Sequence, residues 1–399
     1  MTLSACPIDH TAMTKGSRKT QAADLSAQPS LEQDTNGVWQ VKSFDLCRQI
    51  LRSDTTRQAG FSAEELGSRI KHMREPILFL EGERHKQLRS QTAKFFTPST
   101  TNNKHKQMME SLSDELISRF KDKRQADLSQ MALELAVGVA AEVIGLAGSS
   151  RQGLAARIGA FAFNPTTAPK WLRPLMRLTS AYHIMAFFHL DVRPAIQARR
   201  KQPQDDLVSH ILGLGYKPFE VLGECVTYGA AGMLTTREFI SVCVWHLLER
   251  PQLRARYLVA SEPERHAILG EILRLEPVIG TLKRRTTAPM QLGEQLLPAG
   301  SLLHLHVYAA NADPATVGEN PNDLCPVRPL PKSVQEPVLS FGDGHHRCPG
   351  SFLAFAETDV FLLRLLALPI QLVSTPKITF NPTLEGYEIR NLQLRLGAT

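Results

Sequence analysis

The most informative segment of the sequence is Phe341-Gly342-Asp343-Gly344-His345-His346-Arg347-Cys348-Pro349-Gly350. A thiolate that binds a metal needs close backbone approach, protection from water and donors that stabilise negative sulfur. Gly344 and Gly350 supply backbone freedom on either side of Cys348. A helical pattern begins near Ser351, so the sulfur lies at a helix N-terminus, where the helix dipole favours a thiolate. The stretch therefore predicts a metal-binding thiolate, against the alternative of an inert buried cysteine in a glycine-rich turn.

Two pairs of charged residues stand at helical spacing upstream of this loop. Glu271 and Arg274 are three residues apart, and His85 and Arg89 are four residues apart. At either spacing the two side chains share one face of a helix. Each pair by itself is weak evidence for a functional site, because such pairs occur on many solvated helix surfaces.

The longest helical pattern, Phe219–Arg250, contains an unusual glycine. A mid-helix glycine costs about 1 kcal/mol relative to alanine, so Gly232 suggests that something approaches the backbone closely. Thr235 can donate a hydrogen bond to the carbonyl of Ala231, four residues earlier, which loosens the local helix. These residues predict a groove on this helix.

The cysteine loop resembles the haem-binding signature FxxGxHxCxG of cytochromes P450. Five positions within ten residues match: Phe341, Gly344, His346, Cys348 and Gly350. The resemblance implies haem b (iron protoporphyrin IX) as the cofactor and Cys348 as the metal ligand. It also implies a set of cofactor-binding residues: His85, Arg89, Gly232, Arg284, Phe341, His346 and Cys348.

The resemblance implies that the cationic members of this set bind the propionates of the haem. Carboxylates prefer fixed arginine and histidine donors, which suits His85, Arg89 and His346. Arg284 would complete the group, with Arg285 as an alternative because the run of basic residues permits a shift by one position.

The ExxR pair is similar to a structural network that fixes the coil beneath the haem in this family. The resemblance therefore implies a structural ion pair between Glu271 and Arg274, with Arg328 in the intervening coil as a candidate third member.

The long helix is similar to the family segment A-G-x-[D/E]-T-[T/S], which implies that Thr235 is catalytic. The sequence departs from that segment at Leu234, where the acid stands in the family. An apolar side chain cannot relay a proton, so protons must come from water, the substrate or another side chain. Glu238 is a candidate; alternatively Arg237, Arg250 or solvent satisfies its charge.

Composition excludes several classes of protein. The 399 residues are 43% hydrophobic and 21% charged, which is ordinary for a globular enzyme and wrong for a disordered chain. The net charge is +7, but no basic run with interleaved aromatics accompanies it, so we expect no nucleic-acid partner. The basic residues are either a solvated surface or a patch that docks an acidic electron donor.

The cysteines and the apolar pattern point to a cytoplasmic protein. Six cysteines lie far apart without a CxxC pair, which is neither a disulfide framework nor a zinc site. The N-terminal residues lack the apolar core of a signal peptide, and no run of 18 apolar residues could span a membrane. We therefore expect a soluble monomer with no membrane partner.

The order of patterns predicts a mostly α protein with a minor β region. Residues 1–30 read as an extended or loosely held N-terminal arm, and residues 31–399 as one catalytic domain without a linker. Helices are predicted over 44–53, 111–121, 128–146, 219–250, 263–275 and 351–368, with Pro251 closing the longest of them. Strands are predicted near 37–42, as a hairpin within 286–306 and in the tail. The resemblance implies the single, triangular-prism-like cytochrome P450 fold.

The function implied by the resemblance is a haem-thiolate monooxygenase that inserts oxygen from O2 into a hydrophobic small molecule. The chain has no flavin or iron–sulfur motif, so a ferredoxin or flavodoxin with its reductase would supply electrons. Apolar residues expected in the substrate pocket are Met73, Ile77, Phe79, Met233, Leu234 and Ile279. The alternatives are an enzyme driven by peroxide, suggested by Leu234, and a haem-binding sensor without turnover.

Overall fold

Helices dominate the computed structural model, which describes residues 18–20, 28–61, 63, 74–159, 171, 173–382 and 384–397. The α-helices are α1 (Phe44–Arg52), α2 (Gly82–Thr92), α3 (Pro98–Thr100), α4 (Lys106–Lys123), α5 (Leu128–Ile144), α6 (Arg151–Gly159), α7 (Arg173–Phe187), α8 (Arg193–Lys201), α9 (Leu207–Gly213), α10 (Pro218–Leu248), α11 (Pro251–Val259), α12 (Glu262–Leu275), α13 (Val307–Ala310), α14 (Pro314–Val317) and α15 (Ser351–Leu366).

Short strands form the minor β region. They are β1 (Leu31–Gln33), β2 (Trp39–Val41), β3 (Thr56–Gln58), β4 (Gln125–Asp127), β5 (Thr281–Thr286), β6 (Met290–Leu292), β7 (Gln295–Leu297), β8 (Leu302–His306), β9 (Ile370–Leu372), β10 (Lys377–Asn381), β11 (Gly386–Arg390) and β12 (Gln393–Leu396). One sheet has five strands in the order β1-β2-β8-β5-β3, in which only β2 and β8 run parallel. The predicted class, mostly α with a minor β region, is confirmed.

The long helix α10 lies at the centre of the helical part. It packs against α5, α12 and α15, and α5 is buried around most of its surface because nearly all of its residues are apolar. Proline at the first position starts α10 at Pro218, where the missing N–H costs no hydrogen bond. Pro251 does more than close α10 as predicted: it begins the separate helix α11 in the same way.

The β region is larger than the sequence predicted. The hairpin within 286–306 is present as β6 and β7, and β8 follows it. The strand β5 begins earlier, at Thr281, and lies between β3 and β8 in the five-stranded sheet. Its basic run Lys283-Arg284-Arg285 hid this strand, because charged residues are poor strand signals.

Residues 18–20 of the predicted arm are bound to the rest of the fold, so for them the alternative of a loosely held arm is wrong. The backbone N–H groups of Lys19 and Thr20 donate to the Glu276 carboxylate at 2.5 and 3.1 Å. The Lys19 ammonium also lies 4.7 Å from the ring centroid of Trp245. Glu276 is fully buried and needs these donors.

The structure tests two expectations, one about the cysteines and one about membrane-spanning helices. Cys47, Cys225, Cys243 and Cys348 are free, but Cys325 is disulfide-bonded, which the cysteine spacing did not predict. Within the described ranges, no helix is both long enough and apolar enough to cross a bilayer.

Candidate active site

The cysteine loop forms a tight turn whose two ends are hydrogen-bonded. The N–H of Cys348 donates to the carbonyl of Phe341 at 2.9 Å, and the chain then enters α15, for which Gly350 is the N-cap. The ring of Phe341 packs against that of Phe355 on α15, with centroids 5.8 Å apart. The loop therefore places the cysteine at a helix N-terminus with an aromatic ring beside it.

Gly344 and Gly350 differ in why the loop needs them. Gly344 has a φ of 65°, and a Cβ there would lie 2.2 Å from the carbonyl oxygen of Leu51 at the end of α1. Gly350 has an ordinary φ of −86°, and nothing lies within 4 Å of its would-be Cβ. The prediction of backbone freedom is thus wrong at Gly350, whose N–H instead donates a hydrogen bond to the Cys348 sulfur.

The surroundings of the Cys348 sulfur contain donors and positive charge. Burial raises the pKa of the thiol, because a buried thiolate loses its hydration. The N–H of Gly350 and the charges of Arg89 and Arg347 lower that pKa. Such groups stabilise the thiolate that binds a metal.

Glu271 and Arg274 lie at the centre of a buried ion network. Arg274 is 1% exposed and donates to both oxygens of Glu271 at 2.7 and 2.8 Å. Arg328 donates to the same carboxylate at 3.0 Å, and so does the N–H of Cys325 at 2.8 Å. The remaining guanidinium donors bind backbone carbonyls of the coil between residues 311 and 323. The network therefore ties α12 to the coil that leads to the cysteine loop.

Asn311 extends this network toward the cysteine loop, a contact that no sequence pattern predicted. Its side-chain N–H donates to the carbonyl of Arg274 at 3.0 Å and to the hydroxyl of Ser340 at 2.8 Å. Its side-chain oxygen accepts the N–H of Leu339 at 2.9 Å. An asparagine in an Asn- and Pro-rich coil is ordinary, so only the fold reveals this contact.

Three of the residues predicted to bind propionates, His85, His346 and Arg284, lie together around Glu81. The rings of His85 and His346 stack with centroids 4.1 Å apart. The Glu81 carboxylate pairs with His346 at 3.0 Å and with Arg284 at 3.5 Å. Arg89 donates to the carbonyl of Arg347, beside the cysteine. The sequence missed Glu81, because an acid has no place in a set chosen to bind carboxylates.

Burial controls the protonation of this cluster. Burial, together with the nearby charges of His346 and Arg89, lowers the pKa of His85 to about 4. Burial also lowers the pKa of His346, against the hydrogen bond to Glu81, which raises it. His85 is therefore neutral at pH 7, and arginine carries the fixed positive charge.

The alternation of strand β5 distinguishes Arg284 from Arg285. Arg284 is 4% exposed and lies on the same side of the sheet as the cluster around Glu81. The next side chain points to the other face, as alternation along a strand requires, and Arg285 donates there to the carbonyl of Gly300 at 2.7 Å. The structure therefore favours Arg284 over Arg285 as the residue that could bind a propionate.

On α10, Thr235 and Gly232 lie in an unbroken helix. The Thr235 hydroxyl donates to the carbonyl of Ala231 at 2.5 Å, the bond that the sequence predicted. The helix continues from Pro218 to Leu248, so this bond does not interrupt it. A Cβ at Gly232 would lie 3.7 Å from Ala140, an ordinary contact, so the described protein atoms do not require glycine there.

Comparisons with known proteins agree with this geometry. The Cytochrome P450 family model matches residues 265–368, which contain the ExxR pair and the cysteine loop. The biotin biosynthesis cytochrome P450 of Bacillus subtilis is 28% identical over 303 residues, 73% of this chain and 72% of the relative. The erythromycin C-12 hydroxylase of Saccharopolyspora erythraea is 27% identical over 353 residues, 84% of this chain and 83% of the relative.

The chain belongs to the cytochrome P450 family. The fold agrees: a crystal structure of a versatile cytochrome P450 from Bacillus subtilis superimposes with a TM-score of 0.78. That comparison covers 93% of this chain and 97% of the other, at 21% sequence identity. The protein is therefore a cytochrome P450 monooxygenase, an oxidoreductase of the haem-thiolate type.

The residues present in this P450 fit the haem that the family implies. His346 and Arg284 already bind one carboxylate, that of Glu81, and a haem propionate offers the same chemistry. Among the described residues, Nε of Arg284 is buried without a hydrogen-bond partner, so a donor remains for a further anionic oxygen. A cavity of about 150 Å³ lies beside this cluster, lined in part by Glu81, His85 and His345.

The predicted pocket residues of this P450 do not all lie where the sequence placed them. Met233 and Leu234 are 0% and 1% exposed within the main apolar core, so their prediction as pocket-lining residues is wrong. Ile77 is buried in a turn before α2, whereas Phe79 and Ile279 are half-buried. Met73 lies outside the described residues.

Glu238 is not available as a proton donor, because its carboxylate is already paired. It is fully buried, and its carboxylate pairs with Arg237 at 2.7 Å and with Arg390 at 2.8 Å. It also accepts the N–H of Ile389 at 2.7 Å. The alternative reading, a satisfied charge, is the one observed, with Arg390 in place of the expected Arg250.

A different carboxyl, Glu357 on α15, contacts the residue that follows the predicted catalytic threonine. It is hydrogen-bonded to Thr236, the neighbour of Thr235, and its Oε2 is buried without a partner among the described residues. Burial raises the pKa of Glu357 to about 8, against the hydrogen bond from Thr236. This carboxyl therefore holds a proton at neutral pH. Sequence reasoning missed it, because glutamate within a helix is ordinarily a surface residue.

Replacing Arg284 with alanine is expected to weaken haem binding by about 10- to 100-fold, because a hydrogen bond to a charged group contributes about 1.5–3 kcal/mol. The measurement is the rate of haem transfer from the purified P450 to apomyoglobin. The matched control is Arg285→Ala, which removes the same charge from the opposite face of β5 and should leave the rate unchanged. If the two substitutions had equal effects, strand alternation would not determine which of the two arginines binds the haem.

Proposed function

We propose that this P450 inserts one oxygen atom of O2 into a hydrophobic small molecule, with electrons from a separate redox protein. The observation that carries the proposal is the position of Cys348. Its loop is closed by Phe341, its sulfur accepts the N–H of Gly350, and a cluster able to bind carboxylates lies beside it.

Each part of the site has a proposed task. Cys348 is the metal ligand and a catalytic residue, and the haem b that it holds supplies the oxidation chemistry when bound. The proposed cofactor-binding residues are His85, Arg89, Gly232, Arg284, Phe341, His346 and Cys348. Glu271 and Arg274, with Arg328, form the structural ion network that holds the coil in place.

Thr235 and Glu357 are the proposed groups for handling protons. The Thr235 hydroxyl donates to a backbone carbonyl, so its oxygen remains able to accept a hydrogen bond from water. Glu357 holds a proton beside Thr236 and compensates for the apolar Leu234. Proton supply would then come from the side of α15.

The substrate and the partners are proposed from chemistry alone. Phe79 and Ile279 are half-buried and offer apolar surface, which supports a hydrophobic small molecule. The lack of a flavin or iron–sulfur motif supports a separate ferredoxin or flavodoxin with its reductase, and the net charge of +7 suits an acidic one. We propose a cytoplasmic monomer, composed of an arm (1–30) and one catalytic domain (31–399).

A ligand screen followed by turnover tests this function. Hydrophobic compounds that shift the Soret band of the purified, haem-loaded protein to shorter wavelength are incubated with ferredoxin, reductase and NADPH. We expect oxygenated product from at least one binder, at a rate that falls as salt screens the attraction between the two proteins. Product formed with hydrogen peroxide but never with the redox partner would instead establish the peroxide-driven alternative, which the apolar Leu234 favours. NADPH consumption without product from any binder would overturn monooxygenation.

A further inference from the structure

The segment before the turn Ile77–Phe79 is bound to α10 by two carboxyl groups. The N–H of Arg74 donates to Glu220 at 3.2 Å, and the N–H of Ile77 donates to Glu224 at 3.1 Å. The two acids are one helical turn apart and the two donors are three residues apart, so both bonds form in register. These two hydrogen bonds connect residues separated by about 147 positions in the chain.

Packing between these bonds is equally close. A Cβ at Gly223 would lie 3.2 Å from the ring of Pro76, so the glycine allows this proline to approach the helix. The guanidinium of Arg74 donates to the carbonyl of Leu214 at 3.1 Å and lies 4.7 Å from the ring centroid of Tyr216. Backbone hydrogen bonds, the side chain of Arg74 and the surface of α10 therefore all fix residues 74–77.

Glu224 is the buried member of the two acids. It is 1% exposed, and the N–H of Ile77 donates to it. Burial raises the pKa of Glu224 to about 8, so the group is mostly uncharged at neutral pH. Glu220 has a second task, because it also accepts the N–H of Lys217 at the start of α10. Burying a polar group costs free energy unless the group is hydrogen-bonded. The hydrogen bond from the Ile77 N–H offsets that cost for Glu224.

We propose that Glu224 is a positioning residue that, through Ile77, fixes Phe79 in the pocket wall relative to Thr235. The inference rests on the proposed function, in which Phe79 contacts the substrate. Glu224 and Thr235 belong to the same continuous helix, so the helix itself sets the spacing between the wall and the threonine. The contact therefore determines which shape of hydrophobic substrate fits over the catalytic centre.

Amide hydrogen exchange of residues 74–79 in the haem-loaded protein tests the contact directly. Glu224→Ala should raise the exchange rate of the Ile77 amide by about tenfold, because its acceptor is lost. Glu224→Gln should restore the wild-type rate to within about twofold, because the amide is a neutral acceptor of the same shape. Wild-type exchange in Glu224→Ala would overturn the inference.

A second pair of variants perturbs the same contact without touching the acid. Gly223→Ala places a methyl group against Pro76 and should also raise exchange in this segment. Its matched control, Gly213→Ala, adds a methyl group at the end of α9, where nothing lies within 4 Å. This pair keeps the test decisive if Glu224→Ala does not fold. Equal exchange in the two glycine variants would overturn the inference.

Ligand binding separates a positioning role from a merely structural one. The probes are imidazole, which needs only access to the haem iron, and 4-phenylimidazole, which also contacts the pocket wall; both are followed by the Soret band. Glu224→Ala and Gly223→Ala should change the affinity for 4-phenylimidazole at least about fivefold and that for imidazole less than twofold. Faster exchange with an unchanged affinity ratio would show a structural role only. Failure of the wild-type protein to bind haem or imidazole would defeat the proposed function itself, a result distinct from both.

Discussion

Replacing Cys348 with alanine is expected to reduce oxygenation to background. The substitution removes the proposed thiolate but keeps the hydrogen bond between the N–H of residue 348 and the carbonyl of Phe341, so the turn can still form. Thiolate ligation gives the reduced carbonyl adduct its characteristic absorption, because sulfur pushes electron density toward the iron. The measurement is that absorption spectrum together with product formation.

Cys243→Ala is the matched control for this prediction. Cys243 is a free, fully buried cysteine on α10, outside the loop. Its replacement should lower stability slightly and leave the carbonyl spectrum intact. An unchanged spectrum in Cys348→Ala would show that another residue binds the iron, and the proposed active site would be wrong.

Replacing Arg274 with alanine is expected to destabilise the fold by about 3–5 kcal/mol, the usual cost of leaving one partner of a buried ion pair uncompensated. The side chain is 1% exposed, and its loss leaves Glu271 with Arg328 and one backbone N–H as donors. Carbonyls of the coil also lose their donors, so haem retention should fall with stability. Urea unfolding, followed by circular dichroism and by haem absorbance, measures both effects.

A surface ion pair provides the control for Arg274. Arg256 lies 3.8 Å from Glu264, and their side chains are 30% and 53% exposed. Solvent screens such a pair, so Arg256→Ala should leave the unfolding midpoint at the wild-type value. If Arg274→Ala behaved like this control, the network would not hold the coil that leads to the cysteine loop.

The cysteine loop was predictable from the sequence because its essential contacts are local. The turn from Phe341 to Cys348 and the start of α15 involve consecutive residues, and the backbone rules that govern them apply in any fold. Gly350 is the exception within the loop. Its ordinary φ shows that a glycine in a motif need not be there for backbone freedom.

The carboxylates were the least predictable part of the site. A glutamate in a sequence looks like a surface residue, and its burial depends on elements far away in the chain. Glu238 looked available but is neutralised by Arg390, and Glu357 looked ordinary but is buried beside Thr236. Only the packing of α10 and α15, with the segment that carries Arg390, gives these two acids different partners.

The sequence was sufficient for the cysteine proposed to bind the metal, the ExxR pair and the mostly helical class, since each follows from residues that are neighbours in the chain or on one helix. The tertiary structure brought Arg284 rather than Arg285 to Glu81, buried Leu234 and brought Ile77 to Glu224. These outcomes depend on strand register and helix packing between distant segments, and no local pattern encodes such contacts.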